Sequence, residues 1–387
     1  MMRMRVRMRA RSARPGARSR VRRTMAGLVL ASTLMTATTG WASTGQQTPV
    51  TGPPPGVAAW RSDTSTGRDL PDPARTTPTE VQHFLADLTG RQLTKLVERH
   101  PLVLGNLDGT PVSLRYAANA RALADARAVE RKRAADRRLS GEERERAAER
   151  AERYRGLLEP GRQILAFDPR GRGQVAEVFG DLDSARHVAV VVPGSDIDLG
   201  SFDRSGDPYG TPVGMARSLA GATDGQTAVI AWVGYTTPVG IGPDAATGRL
   251  AEAGAPRLRR FVEGLDAAGL PSPSVFCHSY GSVVCGLAAP HLRMTDLVVL
   301  GSPGMRAADA DSLGTSARVW ATRSAGDWIG KVPHLRLFEL GHGTDPTAPG
   351  FGARRVPAQR VSGHSDYFAP GTDALAVFAS IAEGRAA

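Results

Sequence analysis

From Gln163 to the C-terminus, short apolar runs alternate with longer amphipathic stretches. The runs Ile164–Phe167, Gln174–Phe179, His187–Val192, Thr227–Val233, Ser274–His278, Asp296–Leu300, Arg318–Thr322 and Arg354–Val356 read as strands. The central ones are continuous and β-branched, as expected of strands buried on both faces. The stretches 212–221, 248–269, 280–290 and 370–384 read as helices. Strands alternating with helices predict an α/β domain over 161–387, with a mainly parallel sheet of about eight strands.

The pattern before Gln163 is different. Residues 76–160 predict helices only. Thr77-Pro78-Thr79-Glu80 carries an N-cap, a first-position proline and the acidic partner of a capping box. Helices are expected over 78–88 and 91–99, with His100-Pro101 closing the second. Residues 111–158 are rich in Ala, Arg and Glu and break at Leu139-Ser140-Gly141, where Ser140 and Glu143 form a second capping box. This predicts a charged helical hairpin, read either as a lid or docking arm or as a solvated helical pair. Residues 43–75 are rich in Pro, Gly, Thr and Ser without apolar periodicity and read as a flexible linker.

Charge changes the picture at the N-terminus. The formal net charge is +11, but residues 1–23 hold ten of the 49 basic residues and no acid. The other 39 basic residues face 38 acidic ones, so the bulk of the chain is near neutral and gives no support for a nucleic-acid partner. The basic segment precedes an apolar stretch from Met25 to about Ala37, and Gly40-Trp41-Ala42 offers small residues for cleavage. Residues 1–42 therefore read as a signal peptide cleaved near Ala42, which predicts a secreted protein. A disordered basic tail is the alternative. Later apolar runs fall short of the roughly 20 residues that span a bilayer, so no transmembrane anchor is expected.

The strand Ser274–His278 runs into His278-Ser279-Tyr280-Gly281-Ser282 and then a helix-like stretch. Strand, sharp turn with a serine at its tip, and helix make a nucleophile elbow. Ser279 is the candidate nucleophile. Cys277 stands where such elbows usually carry glycine. His364, in a glycine-containing loop after the last strand, is the candidate base. His278 is its rival by proximity, but a neighbour of the nucleophile in such a turn points away, so it reads as packing. Asp327 follows the strand Arg318–Thr322 and is the candidate third member, with Asp309, Asp311 and Asp345 as rivals. The order serine, aspartate, histidine fits this type of site.

An oxyanion hole needs two backbone N–H groups. Tyr280 supplies one, and Ser195, in the loop after His187–Val192, supplies the other. Trp232 and Tyr235 are candidates for a substrate pocket, although core packing fits Trp232 equally. The stretch 236–247 is a candidate flap. Cys277 and Cys285 flank the elbow and form either a disulfide or two small buried thiols. The remaining histidines lack metal-ligand spacing, and this chemistry needs no metal or organic cofactor.

Taken together, these motifs resemble an actinobacterial family of secreted α/β-hydrolases of unknown function. The resemblance runs from about residue 100 to the C-terminus. It rests on Leu104-Gly105-Asn106-Leu107-Asp108-Gly109, Leu165-Ala166-Phe167-Asp168-Pro169, Val190-Val191-Val192-Pro193-Gly194-Ser195, His278-Ser279-Tyr280-Gly281-Ser282 and Gly363-His364-Ser365-Asp366-Tyr367. It implies the α/β-hydrolase fold and a site made of Ser279, Asp327 and His364, but no firm substrate. The expectation is a serine hydrolase acting on small-molecule or lipid esters through an acyl-enzyme. A peptidase or amidase with the same residues is one alternative. A non-catalytic binding protein that retains the fold is the other. Oligomeric state is left open.

Overall fold

A computed structural model describes residues 46–386. The segment read as a signal peptide lies outside the described residues. The eight strands are β1 (Gln163–Asp168), β2 (Gln174–Phe179), β3 (His187–Val192), β4 (Thr227–Val233), β5 (Ser274–His278), β6 (Asp296–Leu300), β7 (Arg318–Thr322) and β8 (Arg354–Arg355). They form one sheet in the order β1-β2-β4-β3-β5-β6-β7-β8. β2 runs antiparallel to both β1 and β4, and every pairing from β4 through β3 to β8 is parallel.

The continuous apolar runs follow from burial on both faces. Val188, Val190 and Val192 of β3 enter one core, while Ala189 and Val191 enter the other. In β5, Val275 and Cys277 face the first core and Phe276 the second. The first core is covered by the helices Arg249–Ala267 and Gly281–Ala288, the second by Pro212–Ala222 and Asp373–Ala382. Each helix lays its apolar stripe on the sheet, and the alternation along the strand decides which stripe each residue meets.

Both expected capping boxes are formed, at Thr77/Glu80 and Ser140/Glu143, and Thr89 and Gln92 make a third. They start the helices Pro78–Ala86, Gly141–Leu157 and Gly90–Arg99. The expected hairpin is Val112–Ala135 with Gly141–Leu157. It packs Leu123, Tyr154 and Leu157 into the second core, beside Ile164 and Phe167 of β1. It is thus seated on the β1 edge of the sheet.

The linker reading of 43–75 is corrected over its described part. Residues Val57–Arg61 form a helical turn, and Trp60 is fully buried with Leu70, Val81 and Leu104 in a third core. The Trp60 indole N–H donates to the Pro71 carbonyl at 2.7 Å. One large aromatic anchors a stretch that lacks periodicity, because burying it gains more than the ordering of a few residues costs.

Candidate active site

The parallel strands all point their carboxyl ends to the same side, and the candidate residues follow those ends. Ser279 follows β5, in the middle of the sheet. Its N–H extends the ladder by donating to the Leu300 carbonyl of β6 at 3.0 Å. Its φ is 53°, in the left-handed region that a side chain seldom adopts. That turn reverses the chain and presents the hydroxyl beyond the strand end. The backbone strain is sustained only because the surroundings over-determine it.

Three contacts do so. Ser282, fully buried, donates its hydroxyl to the Ser279 carbonyl at 2.6 Å and shares a second bond with Ser302 at 2.6 Å. Cys277 and Cys285 are joined in a disulfide with a Cα–Cα distance of 6.5 Å. The usual glycine at position 277 is therefore replaced by a side chain that binds the packed helix covalently instead of clashing with it. A first side-chain carbon at Gly194 would lie 2.5 Å from Ser279 Cβ, so only glycine lets the loop after β3 approach the nucleophile so closely.

His364 and Asp327 meet on the same side. His364 Nδ1 lies 2.8 Å from Asp327 Oδ1. Asp327 Oδ1 also accepts from the Ile329 N–H at 2.9 Å, and its Oδ2 accepts the Tyr367 hydroxyl proton at 2.6 Å. The Tyr367 oxygen in turn accepts from the Ser324 N–H at 3.0 Å. Burial pushes the Asp327 carboxyl up, but the bond and charge of His364, then Tyr367 and the Ile329 N–H, outweigh it and hold its pKa below the ordinary value. Burial and the neighbouring carboxylate push the Tyr367 phenol up, so it stays a donor. The rival acids lie elsewhere: Asp309 accepts from the Ser312 N–H, Asp311 is exposed at the start of a short helical turn, and Asp345 pairs with Arg323.

His278 does more than pack. Its ring centroid lies 4.6 Å from that of His364, and its Nε2 is 2.8 Å from the His364 carbonyl oxygen. Burial and then the His364 charge lower its pKa to about 3. A neutral His278 donates Nε2–H to that carbonyl and so ties the His364 loop to the strand that carries Ser279. Trp328 covers His364 from outside, with centroids 4.9 Å apart and its own ring 43% exposed. Ser279 Oγ makes no hydrogen bond to the imidazole among the described residues. Such bonds are often long before substrate arrives.

The Ser195 and Tyr280 N–H groups find no acceptor among the described residues. The loop that carries Ser195 is fixed on its far side. Asp196 has φ 64°, donates its N–H to the Pro238 carbonyl at 2.8 Å and accepts from the Gly240 N–H at 2.7 Å. The flap reading of 236–247 therefore needs correcting at its base: Thr237 is buried and donates to the Ile197 carbonyl at 2.6 Å.

Trp232 and Tyr235 are packed in the core rather than open to the candidate site. Each is only 2% exposed, and their stacked rings join the first core, where Trp232 also meets Phe261. The Tyr235 hydroxyl donates to the Pro193 carbonyl at 2.7 Å, so this side chain holds the oxyanion-loop backbone from behind. Sequence reasoning missed this role, along with those of Tyr367, Ser282 and His278. Tyr367, Ser282 and His278 carried a signal, since each lies in a short motif with His364 or Ser279, whereas Tyr235 carried none for this role.

The strand order, antiparallel entry and functional loops after β3, β5, β7 and β8 are those of one architecture. By fold the chain is an α/β hydrolase. A family model described as alpha/beta hydrolase matches residues 168–337. Two uncharacterized proteins of Mycobacterium tuberculosis strains are each 30% identical over 375 residues, covering 82% of this chain and 57% of their own length. The chain thus spans little more than half of those relatives. Among solved structures, XC6422 of Xanthomonas campestris, described as an α/β serine hydrolase without lid, is 19% identical. It covers 44% of this chain and 74% of its own, with a TM-score of 0.31. Esterase PE8 is 14% identical, over 54% of this chain and 97% of its own, with a TM-score of 0.34. In this fold, the residues proposed from sequence as nucleophile, base and acid come to one end of the sheet.

Proposed function

We propose that the protein is a secreted serine hydrolase that cleaves carboxylic esters. The observation that carries this reading is the strained Ser279 turn at the end of β5, beside a histidine already hydrogen-bonded to a buried carboxylate. Ser279 Oγ attacks the ester carbonyl while His364 Nε2 takes its proton. Asp327 holds the tautomer with the proton on Nδ1 and stabilises the imidazolium. The Ser195 and Tyr280 N–H groups receive the charge that develops on the carbonyl oxygen. His364 then protonates the departing alcohol. Water, deprotonated by the same histidine, cleaves the acyl-enzyme and restores the Ser279 hydroxyl.

The test is labelling with a fluorophosphonate, followed by mass spectrometry of the labelled peptide. The expected result is modification of Ser279, lost in Ser279→Ala and slowed strongly in His364→Ala. A folded protein that takes up no label, or takes it elsewhere, would end this assignment.

A further inference from the structure

The segment after Asp327 has a feature that the proposed chemistry does not use. Within residues 335–340, Leu335, Leu337, Phe338 and Leu340 are exposed by 57%, 56%, 86% and 57%. Leu337 and Leu340 exchange backbone hydrogen bonds of 2.9 and 3.1 Å, so Phe338 and Glu339 form the tip of a tight turn. Phe338 has φ 55°, a conformation better suited to glycine or asparagine. A position that favours a small polar residue thus carries a large apolar one, facing water.

The base of this turn is fixed. Arg306, whose side chain is 1% exposed, donates to the Glu339 carbonyl at 2.9 Å and pairs with the Glu339 and Glu252 carboxylates. Leu340 bridges to Thr247, and the Gly341 N–H donates to the Ala246 carbonyl at 2.9 Å. His342 is buried edge-on against Tyr280, with centroids 5.5 Å apart. The apolar tip is therefore anchored to the residue that follows the nucleophile.

Two further apolar residues are exposed on the segment that leads to Thr247. Val239 and Ile241 are 39% and 62% exposed, and Gly240 between them is bonded to Asp196, next to Ser195. Trp328 adds a partly exposed ring over His364. Val239 and Ile241 thus flank a residue tied to the oxyanion loop, and Trp328 lies against the candidate base. Exposed apolar side chains grouped as they are in the Leu335–Leu340 turn mark a place of association.

The charges around it indicate with what. Of the exposed charged residues in 328–340, Glu339 shares Arg306 with Glu252, while Lys331 and Arg336 have no ion pair among the described residues, so the turn and its anchor carry a net positive charge. A second copy of the chain would set these cations against each other. Anionic headgroups would neutralise them while the apolar tip enters the acyl boundary. We propose that the Leu335–Leu340 turn, with Val239, Ile241 and Trp328, docks this face on an anionic lipid surface and so delivers lipid esters to Ser279. The ester part rests on the function proposed above, whereas the docking part does not.

The experiment uses residues 46–387, which form a compact unit, and so leaves out the basic N-terminal segment. It measures co-sedimentation with phosphatidylcholine vesicles with and without phosphatidylglycerol. The unaltered protein is expected to pellet with the anionic vesicles. A Leu337→Ser/Phe338→Ser variant should bind roughly tenfold more weakly or worse, as removal of two large apolar side chains implies. It should still turn over a water-soluble short-chain ester, which also reports that it is folded. Lys331→Gln/Arg336→Gln should lose the preference for anionic vesicles. No pelleting of the unaltered protein would overturn the proposal. So would a serine variant that binds like the parent, or sedimentation showing a dimer that the serine variant dissolves without vesicle binding. Tip-dependent pelleting without fluorophosphonate labelling would sink the hydrolase reading and leave the docking surface standing. Labelling without pelleting would do the reverse.

Discussion

Among the described residues, two histidines are paired with a fully buried aspartate, and the two pairs do different things. At the carboxyl ends of the strands, His364 and Asp327 are 2.8 Å apart. In the N-terminal helical region, His100 Nε2 and Asp63 Oδ2 are 2.6 Å apart. Both carboxylates are held low against the effect of burial, Asp327 chiefly by His364 and Asp63, at about 2, by hydrogen bonds from Ser65 and His100 and by the Arg99 charge. The difference lies in what surrounds the histidine. The His100 ring packs edge-on against fully buried Trp60 at 5.5 Å and is itself 7% exposed. His364 is only partly buried, and the residue before the strained serine contacts it. A paired histidine is thus a chemical candidate only where a nucleophile and a route for substrate meet it. Elsewhere the same pair fastens one segment to another.

The sharpest way to break this contrast is to remove each histidine in turn. His364→Ala is expected to lower kcat on a short-chain ester by about 10⁶, the scale for loss of the base acting on a serine, and, since Asp327 also loses a partner, to cost about 1–3 kcal/mol in stability. His100→Ala should leave kcat near the parent value while lowering unfolding stability by a similar amount, about 1–3 kcal/mol, because a buried carboxylate loses a hydrogen-bond partner. Steady-state kinetics and denaturant unfolding on both variants decide it. Activity lost equally in the two would erase the distinction.

A smaller effect sharpens it through pH. His278 ties the two halves of the candidate site, and its pKa is lowered from 6.5 to about 3. Below pH 6.5 the unfolded chain takes up a proton here that the folded protein refuses. This contribution to stability is therefore intact above pH 6.5 and is lost as pH falls toward 3, at up to about 1.4 kcal/mol per pH unit. Unfolding measured from pH 7 to 4.5 should show a slope that flattens in His278→Asn by about one proton. An unchanged slope would mean that the ring is solvated rather than buried. Smallest is Tyr367→Phe, which removes one donor from Asp327 and should cost roughly tenfold in kcat and about 1 kcal/mol in stability. A variant with unaltered kcat would show that His364 alone positions the carboxylate.

Much of this was readable along the chain, for a physical reason. Strands buried on both faces need unbroken apolar runs, and β3, β4 and β5 announce themselves in that way. The Thr77 and Ser140 capping boxes are local too, since both partners lie three residues apart. The misreadings share the opposite property. Trp232 followed by Tyr235 looks like a pocket wall until Phe261, on a helix elsewhere in the chain, covers it. Trp60 sits in a segment without periodicity, and only its third-core neighbours make it a structural residue. Tyr367 reaches Asp327 across 40 residues of chain.

By itself, then, the sequence determined which stretches become strands and helices, that a serine sits in a strand-to-helix turn, and the order serine, aspartate, histidine along the chain. Apolar periodicity, caps and turn residues act over a few positions and survive in a linear reading. The tertiary structure alone decided that Cys277 bonds Cys285, that His278 carries the His364 loop, and which aspartate–histidine pair stands beside a nucleophile. Those contacts join residues brought together by strand order, and strand order is set by how the whole chain buries its apolar faces rather than by any segment of it.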